Sequence, residues 1–320
     1  MGKILLSLEK EGWTSLIQKD RFTYQKELED NINSLFGKNG LLFEIKEWDI
    51  PKQWHIAILS IDLSIIQLID LALISTKEDY KYINLIWPNH HSTPIQNNFV
   101  LEIFSTSLAN TLISVRKLIL TGFDSQAKIL LRWFVELADT TNAILDNLEL
   151  YQCCLKEYDN FDISYRDWRK YLTPKKIKKM LFIKEKSFGL SESIIHNLSE
   201  IREGTYKWLS QFTHINWVSQ VISCYAMPLK GKIYKPSVCG IRSKKSIITL
   251  IYAAFYSYLF LLRLQHQLSV EHDWNKLAGD SRICHWMFRF KVIEKNFLLN
   301  HKKLKEHLNM NKPANNLSGK

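Results

Sequence analysis

A glycine inside a long helical pattern sets the frame for this chain. In LILTGFDSQAKILLRWFVELADTTNAILDN, residues 118–147, Gly122 supplies the permissive backbone where one helix stops, and Asp124 stands where the next would take its N-cap. Two long helices therefore meet as an antiparallel hairpin, with residues 99–120 as its first arm. Turning the second arm by about 100° per residue puts Lys128, Arg132, Glu136 and Asp139 on one line. Ala127, Leu130, Leu131, Phe134, Leu137 and Ala138 cover the far side, and Ile129 and Val135 flank the line. A charged stripe this narrow on an otherwise apolar helix faces either a thin slot of water or polar groups on a neighbouring helix.

Helical patterning continues on both sides of the hairpin. Trp13 to Phe36 reads as an amphipathic helix closed by Gly37, and Pro51 opens a long apolar helix over 52–75 whose Asp62, Gln67 and Asp70 are expected to form one wetter face. The stretch 77–98, with two prolines and the adjacent His90 and His91, reads as a surface loop containing a short helix. Downstream, 191–196 and 199–217 read as two helices, and Pro228, Gly231 and Pro236 mark a loop or small hairpin. Residues 246–276 and 281–307 complete the helices, and Arg282, His285 and Arg289 share a face of the last one that is either solvated or part of a basic groove. Few glycines and no run of alternating strands predict an all-α, multi-helix bundle built on long antiparallel hairpins, with room for one minor β-hairpin. The expected organisation is an N-terminal helical region at 1–95, a central core at 96–228, a C-terminal helix pair at 229–310 and a disordered tail at 311–320.

At 320 residues and 46% hydrophobic, the chain can fill a substantial core without staples. Its five cysteines form no C-x-x-C pair, the reading for a reduced, cytoplasmic protein. The N-terminal apolar run is broken by charge after Leu8 and is not read as a secretory signal. The longest apolar run, 247–262, has 16 residues and is read as a buried core helix rather than a membrane span. Charge is uneven. Residues 1–150 carry 14 Lys and Arg against 19 Asp and Glu, net −5, whereas residues 151–320 carry 29 against 13, net +16. The basic half suits nucleic acid, an anionic surface or the chain's own acidic half.

Basic and aromatic residues interleave from Tyr151 to Lys186. Tyr165, Arg166, Trp168, Arg169, Lys170 and Tyr171 precede Pro174, and Lys175, Lys176, Lys178 and Lys179 follow at the start of a helix. Cations there oppose the helix dipole, so an outside anion is expected. Rings that stack bases beside cations that hold phosphates are the composition of a single-strand binding surface. The alternative is a solvated helical face whose rings point into the core.

A second polar line lies in REGTYKWLSQFTHINW. Glu203, Lys207, Ser210 and His214 fall together with Tyr206 and Trp217 beside them, and Ile201, Leu209 and Phe212 lie opposite. If this face meets the Arg132 and Glu136 stripe, Arg132 or Lys207 can hold a phosphate and His214 can exchange a proton, oriented by Tyr206, Ser210 and Glu136. The scheme needs no metal and no cofactor. The same residues can equally be a static network fixing two helices in register.

The pattern Leu131-Arg132-x-x-x-Glu136, followed by Tyr206-Lys207-x-Leu209-Ser210-x-x-x-His214, resembles a family of bacterial all-helical proteins distantly similar to the HEPN superfamily, over about residues 98–220. The resemblance implies a helical bundle, often a homodimer, with metal-independent RNA cleavage in defence or toxin systems as the common activity. The superfamily's usual signature, Arg then four to six residues then His, is absent. Arg202 lies too far before His214, while Arg263 and His266, like Arg282 and His285, are too close. What carries over is a helical scaffold and a polar site. The expectation is an RNA-binding homodimer without a membrane span, and the competing class is a non-catalytic scaffold or interaction module.

Overall fold

A computed structural model describes residues 54–76, 94–144, 147, 150, 160–213, 225–226, 235–236, 246–271, 285–286 and 288–297. The amphipathic segment 13–36, His90 and His91, His214, Trp217, Arg282 and the tail lie outside the described residues. The helices are α1 (His55–Thr76), α2 (Pro94–Leu120), α3 (Asp124–Ile144), α4 (Phe161–Tyr171), α5 (Pro174–Ser187), α6 (Glu192–Thr213), α7 (Ser246–Glu271) and α8 (288–297). A two-residue antiparallel ladder, β1 (Tyr225–Ala226) with β2 (Lys235–Pro236), stands between α6 and α7. The fold is an all-α multi-helix bundle.

Two hairpins organise it. Between α2 and α3, Gly122 takes φ +90°, a conformation a Cβ would strain, while the Phe123 N–H reaches back to Leu118 O at 2.7 Å and the Gly122 N–H to Ile119 O at 3.1 Å. The Phe123 carbonyl accepts the Ala127 N–H at 3.0 Å. Phe123 therefore holds the N-cap place expected of Asp124, whose buried carboxylate instead binds Lys128 Nζ at 2.5 Å and Thr249 Oγ1 of α7 at 2.7 Å. Between α5 and α6, Gly189 takes φ +73° after Phe188 closes the helix on Lys184 O. α6 runs unbroken where the sequence suggested two helices at 191–196 and 199–217. α2 begins at Pro94, earlier than the expected 99.

α3 is the central post, packed by α2, α5, α6 and α7, and α1 lies between α2 and α7. One apolar core runs through all of them, from Trp54 and Ile61 through Leu112, Phe134, Leu209 and Phe255 to Ile293. Core helices this apolar need their serines satisfied, and Ser60, Ser64 and Ser257 each donate to the carbonyl four residues back, at 2.9, 2.7 and 2.7 Å. By length and composition three helices suit a membrane as well. Windows in α1, α2 and α7 have mean hydropathies of 2.1, 1.2 and 1.8, so the 16-residue run understated α7. In this structure the α1 and α7 windows are 83% buried against protein and the α2 window only 44%, which leaves one side of α2 uncovered.

Of the expected wetter face of α1 only Asp70, its side chain 35% exposed, keeps an edge to solvent. Asp62 is buried and holds Arg116 of α2 at 2.5 Å, and Gln67 is buried between the Trp286 carbonyl (2.9 Å) and Arg289 Nε (2.9 Å). Arg289 also donates to Asp70, so it belongs to the core and to no basic groove or solvated face. Asp62, Gln67 and Asp70 thus each meet a partner from a distant segment, as the cost of desolvation requires on a helix this apolar.

Candidate nucleic-acid interface and polar cleft

The narrow charged stripe of α3 faces polar groups on its neighbours. Lys128 is buried beneath the Phe212 ring, its ammonium 4.4 Å from the centroid, while its nitrogen holds Asp124. At the other end Asp139 accepts from Arg263 Nη1 at 2.9 Å. Only the middle of the stripe reaches the surface, with the Arg132 side chain 17% and the Glu136 side chain 34% exposed.

There the two polar lines do meet. Arg132 Nη2 donates to Tyr206 Oη at 2.8 Å, Nη1 to Thr213 Oγ1, and Nε to Glu136 Oε1 at 3.1 Å. Its guanidinium carbon also lies 4.6 Å from the centre of the Tyr206 ring, and Lys178 of α5 places its ammonium 4.7 Å from that same centre. Partial burial and the Glu136 carboxylate push the Tyr206 phenol above its ordinary pKa, against the pull of Arg132. The phenol therefore stays protonated at neutral pH and serves as acceptor for Arg132.

Other predicted members sit elsewhere. Lys207 is exposed and paired with Glu203 at 3.1 Å; that hydrogen bond and the lysine charge hold Glu203 below the usual carboxylate range. Ser210 donates to the Tyr206 carbonyl of its own helix at 2.6 Å. Thr213, absent from the predicted set, is brought in because it lies one full turn beyond Leu209, on the edge of the α6 face turned to α3.

The basic row assembles from α4 and α5. Arg166, Arg169, Lys170, Lys175, Lys176 and Lys179 are exposed, with Tyr165 exposed beside Arg169 and Lys178 half-buried against Tyr206. Residues 161–187 hold nine Lys and Arg against three Asp and Glu, net +6. Part of the predicted outside anion turns out to be internal. Lys176 Nζ donates to the Arg169 carbonyl at 3.2 Å and to that of Lys170, so the partial negative charge at the end of α4 answers the lysine at the start of α5.

A sealed charge cluster lies deeper, unseen in the sequence because its members come from four helices. Glu185 accepts from Arg202 Nη1 at 2.5 Å and Nη2 at 3.0 Å, and from Arg263 Nη2 at 2.7 Å, and Arg263 bridges on to Asp139. All four residues are buried. Burial disfavours the Arg263 charge, yet Asp139 and Glu185 more than offset it and hold its pKa above the ordinary value. With two cations matched to two carboxylates and no side chain more than 12% exposed, the cluster joins α3, α5, α6 and α7 as an internal tie. Among the described residues no group of three His, Cys, Asp or Glu converges as metal ligands. Set against protein-family models, curated proteins and solved structures, the chain matches none of them.

Proposed function

We propose that the protein binds single-stranded RNA along the α4–α5 surface, with the strand running on to the cleft at Arg132 and Tyr206. One observation carries the reading: Lys178 belongs to the basic row and at the same time touches the Tyr206 ring that contacts Arg132, so the row adjoins the cleft. Exposed cations along it suit phosphates, and Tyr165 suits a base.

The catalytic version extends this to metal-independent RNA cleavage of the HEPN-like kind. Arg132 donates to Thr213, the last described residue of α6. In this scheme His214 takes the 2′-hydroxyl proton, the oxygen attacks phosphorus, the bond to O5′ breaks, O5′ takes a proton from solvent, and His214 returns its own proton to solvent. The products are a 2′,3′-cyclic phosphate and a 5′-hydroxyl. Arg132 and Lys178 stabilise the phosphate charge, with Tyr206 and Glu136 orienting Arg132.

A second reading has its own support. Three nitrogens of Arg132 already serve the chain's own oxygens, which is what a latch between α3 and α6 needs in a non-catalytic interaction module. End-labelled single-stranded RNA, incubated with EDTA and either the wild type or His214→Ala, separates the possibilities. Binding by both with cutting by the wild type alone supports the enzyme. Binding without cutting leaves the RNA surface only, and no binding at low salt removes both in favour of the latch.

A further inference from the structure

On the uncovered side of α2, Ile103, Thr106, Asn110 and Lys117 are exposed, and Ile103 lines an open groove of about 530 Å³ together with Leu130 and Trp133 of α3. Trp133 is 55% and Ile103 47% exposed, and Ile129 of α3 is 43% exposed. Apolar side chains of this size grouped at a surface mark a docking place. The Thr111 and Ser114 hydroxyls on the same stretch of α2 already donate to Ser107 O at 2.7 Å and Asn110 O at 2.9 Å within their own helix. They require no polar partner from an occupant.

Three polar side chains on this face identify the occupant. Glu102 lines the groove near the start of α2, Asn110 lines its middle, and Lys117 is exposed about one turn beyond Ser114. None of the three side chains pairs with another of the described residues. Glu102 stands eight residues before Asn110 and Lys117 seven after it, about 12 and 10 Å along the helix. Turned half a revolution about an axis through Asn110, the face therefore meets its own image with carboxylate against ammonium at both ends and amide against amide in the middle. A surface that is its own complement is what an isologous contact between two copies requires. Within one chain the two charges lie fifteen residues, about 22 Å, apart and do not meet. Trp133 follows Gly122 by as many residues as Thr111 precedes it, so the hairpin sets the indole level with the centre of the pattern. We propose that two copies of this chain associate antiparallel through α2, with Asn110 on the two-fold axis, Glu102 of each copy paired with Lys117 of the other, and Trp133 packed beside the crossing.

Sedimentation equilibrium of the full chain at low salt tests this, with the wild type beside Glu102→Lys, Lys117→Glu and the double variant that carries both. Neither side chain has a partner among the described residues, so the exchanges leave the protomer folded, and a circular-dichroism melt matching the wild type verifies it. The expected wild type is a dimer in reversible equilibrium with monomer. Each single exchange sets like charges against each other at both ends of the contact and should weaken the dimer about tenfold, while the double variant restores opposite charges and should return to within about twofold of the wild type. Rescue of this kind arises only between copies, because the two positions are too far apart to meet in one. A protein that stays monomeric at about 100 μM, a dimer indifferent to the single exchanges, or a double variant no tighter than the singles each overturn the proposal.

Discussion

Arg132 Nη2 lies 2.8 Å from the hydroxyl oxygen of Tyr206, 74 residues downstream, and this bond is the seam between α3 and α6 at the molecular surface. Because the same guanidinium also serves Glu136 and Thr213, its removal and that of the phenol are unequal. Tyr206→Phe leaves one N–H that water can reach and keeps the ring beside both cations, so it should cost about 0.5–1 kcal/mol. Arg132→Ala loses all three bonds and should cost about 2 kcal/mol, discounted for partial exposure. Urea denaturation of both variants measures the difference; an Arg132→Ala protein as stable as the wild type would show that the guanidinium holds nothing together and is kept for a ligand.

The tyrosines make stability fall at alkaline pH. Tyr206, Tyr252, Tyr256 and Tyr258 all have phenols pushed above the ordinary value, with burial the leading cause in each. A raised pKa in the folded chain means that the folded state keeps protons the unfolded state has released. Stability is then full below pH of about 10 and declines as pH rises above it. Tyr256 is the sharpest case, because its hydroxyl is buried without a hydrogen-bond partner; Thr205 lies near enough to offset burial slightly, but outside hydrogen-bond geometry. Tyr256→Phe should leave stability at pH 7 unchanged or raised and make the alkaline decline shallower. Urea midpoints at pH 8, 10 and 11 check the sign, and a steeper decline in the variant contradicts it.

The buried cluster predicts a much larger effect. Arg263 links Glu185 to Asp139, and its loss leaves Asp139 without this cation and Glu185 with Arg202 alone. Arg263→Met fills similar volume but strands charge in the core, at a cost of about 3–5 kcal/mol. Surface variants such as Lys179→Gln should change stability by less than about 0.5 kcal/mol. Chemical denaturation of the pair decides; a mild Arg263→Met would mean that water reaches the cluster.

How legible all this was in the sequence depends on the range of the interactions involved. The Gly122 break and the all-helical character of the bundle are local facts, written in periodicity and one permissive residue, and they read correctly, although α6 was split in two and α2 begun too late. The stripe on α3 was visible as a line, whereas its encounter with Tyr206 stood in the sequence only as a condition, which the Arg132–Tyr206 bond meets. Where reading failed, a distant residue decided the outcome. Asp124 looks like a cap until Thr249 appears beside it, Asp62 looks wet until Arg116 covers it, and Arg289 looks solvent-bound until Gln67 and Asp70 enclose it. Polar residues on strongly apolar helices carry two meanings, a wet edge or a buried pair, and one helix alone does not distinguish them. The Lys175–Lys179 run failed more gently: its charge reads correctly, but the α4 carbonyls that engage Lys176 are backbone groups no composition displays.

The basic row yields a prediction in which electrostatics and stability separate. Arg166, Arg169, Lys175 and Lys179 are exposed, whereas Lys176 and Lys178 are engaged by the α4 carbonyls and the Tyr206 ring. Replacing the first four by Gln therefore strips the surface without unpicking the fold, and the melting curve should hardly move. If these cations sit on phosphates of a single strand, removing each one reduces the slope of log affinity against log salt by about 0.7, so the quadruple variant should show a slope shallower by up to roughly 3 units. Fluorescence anisotropy with a labelled single-stranded RNA across a salt series measures this directly. Because the released counterions come from the nucleic acid, a protein ligand at the same surface would give a shallower dependence. An unchanged slope in the variant would place the RNA, if bound at all, somewhere other than α4 and α5.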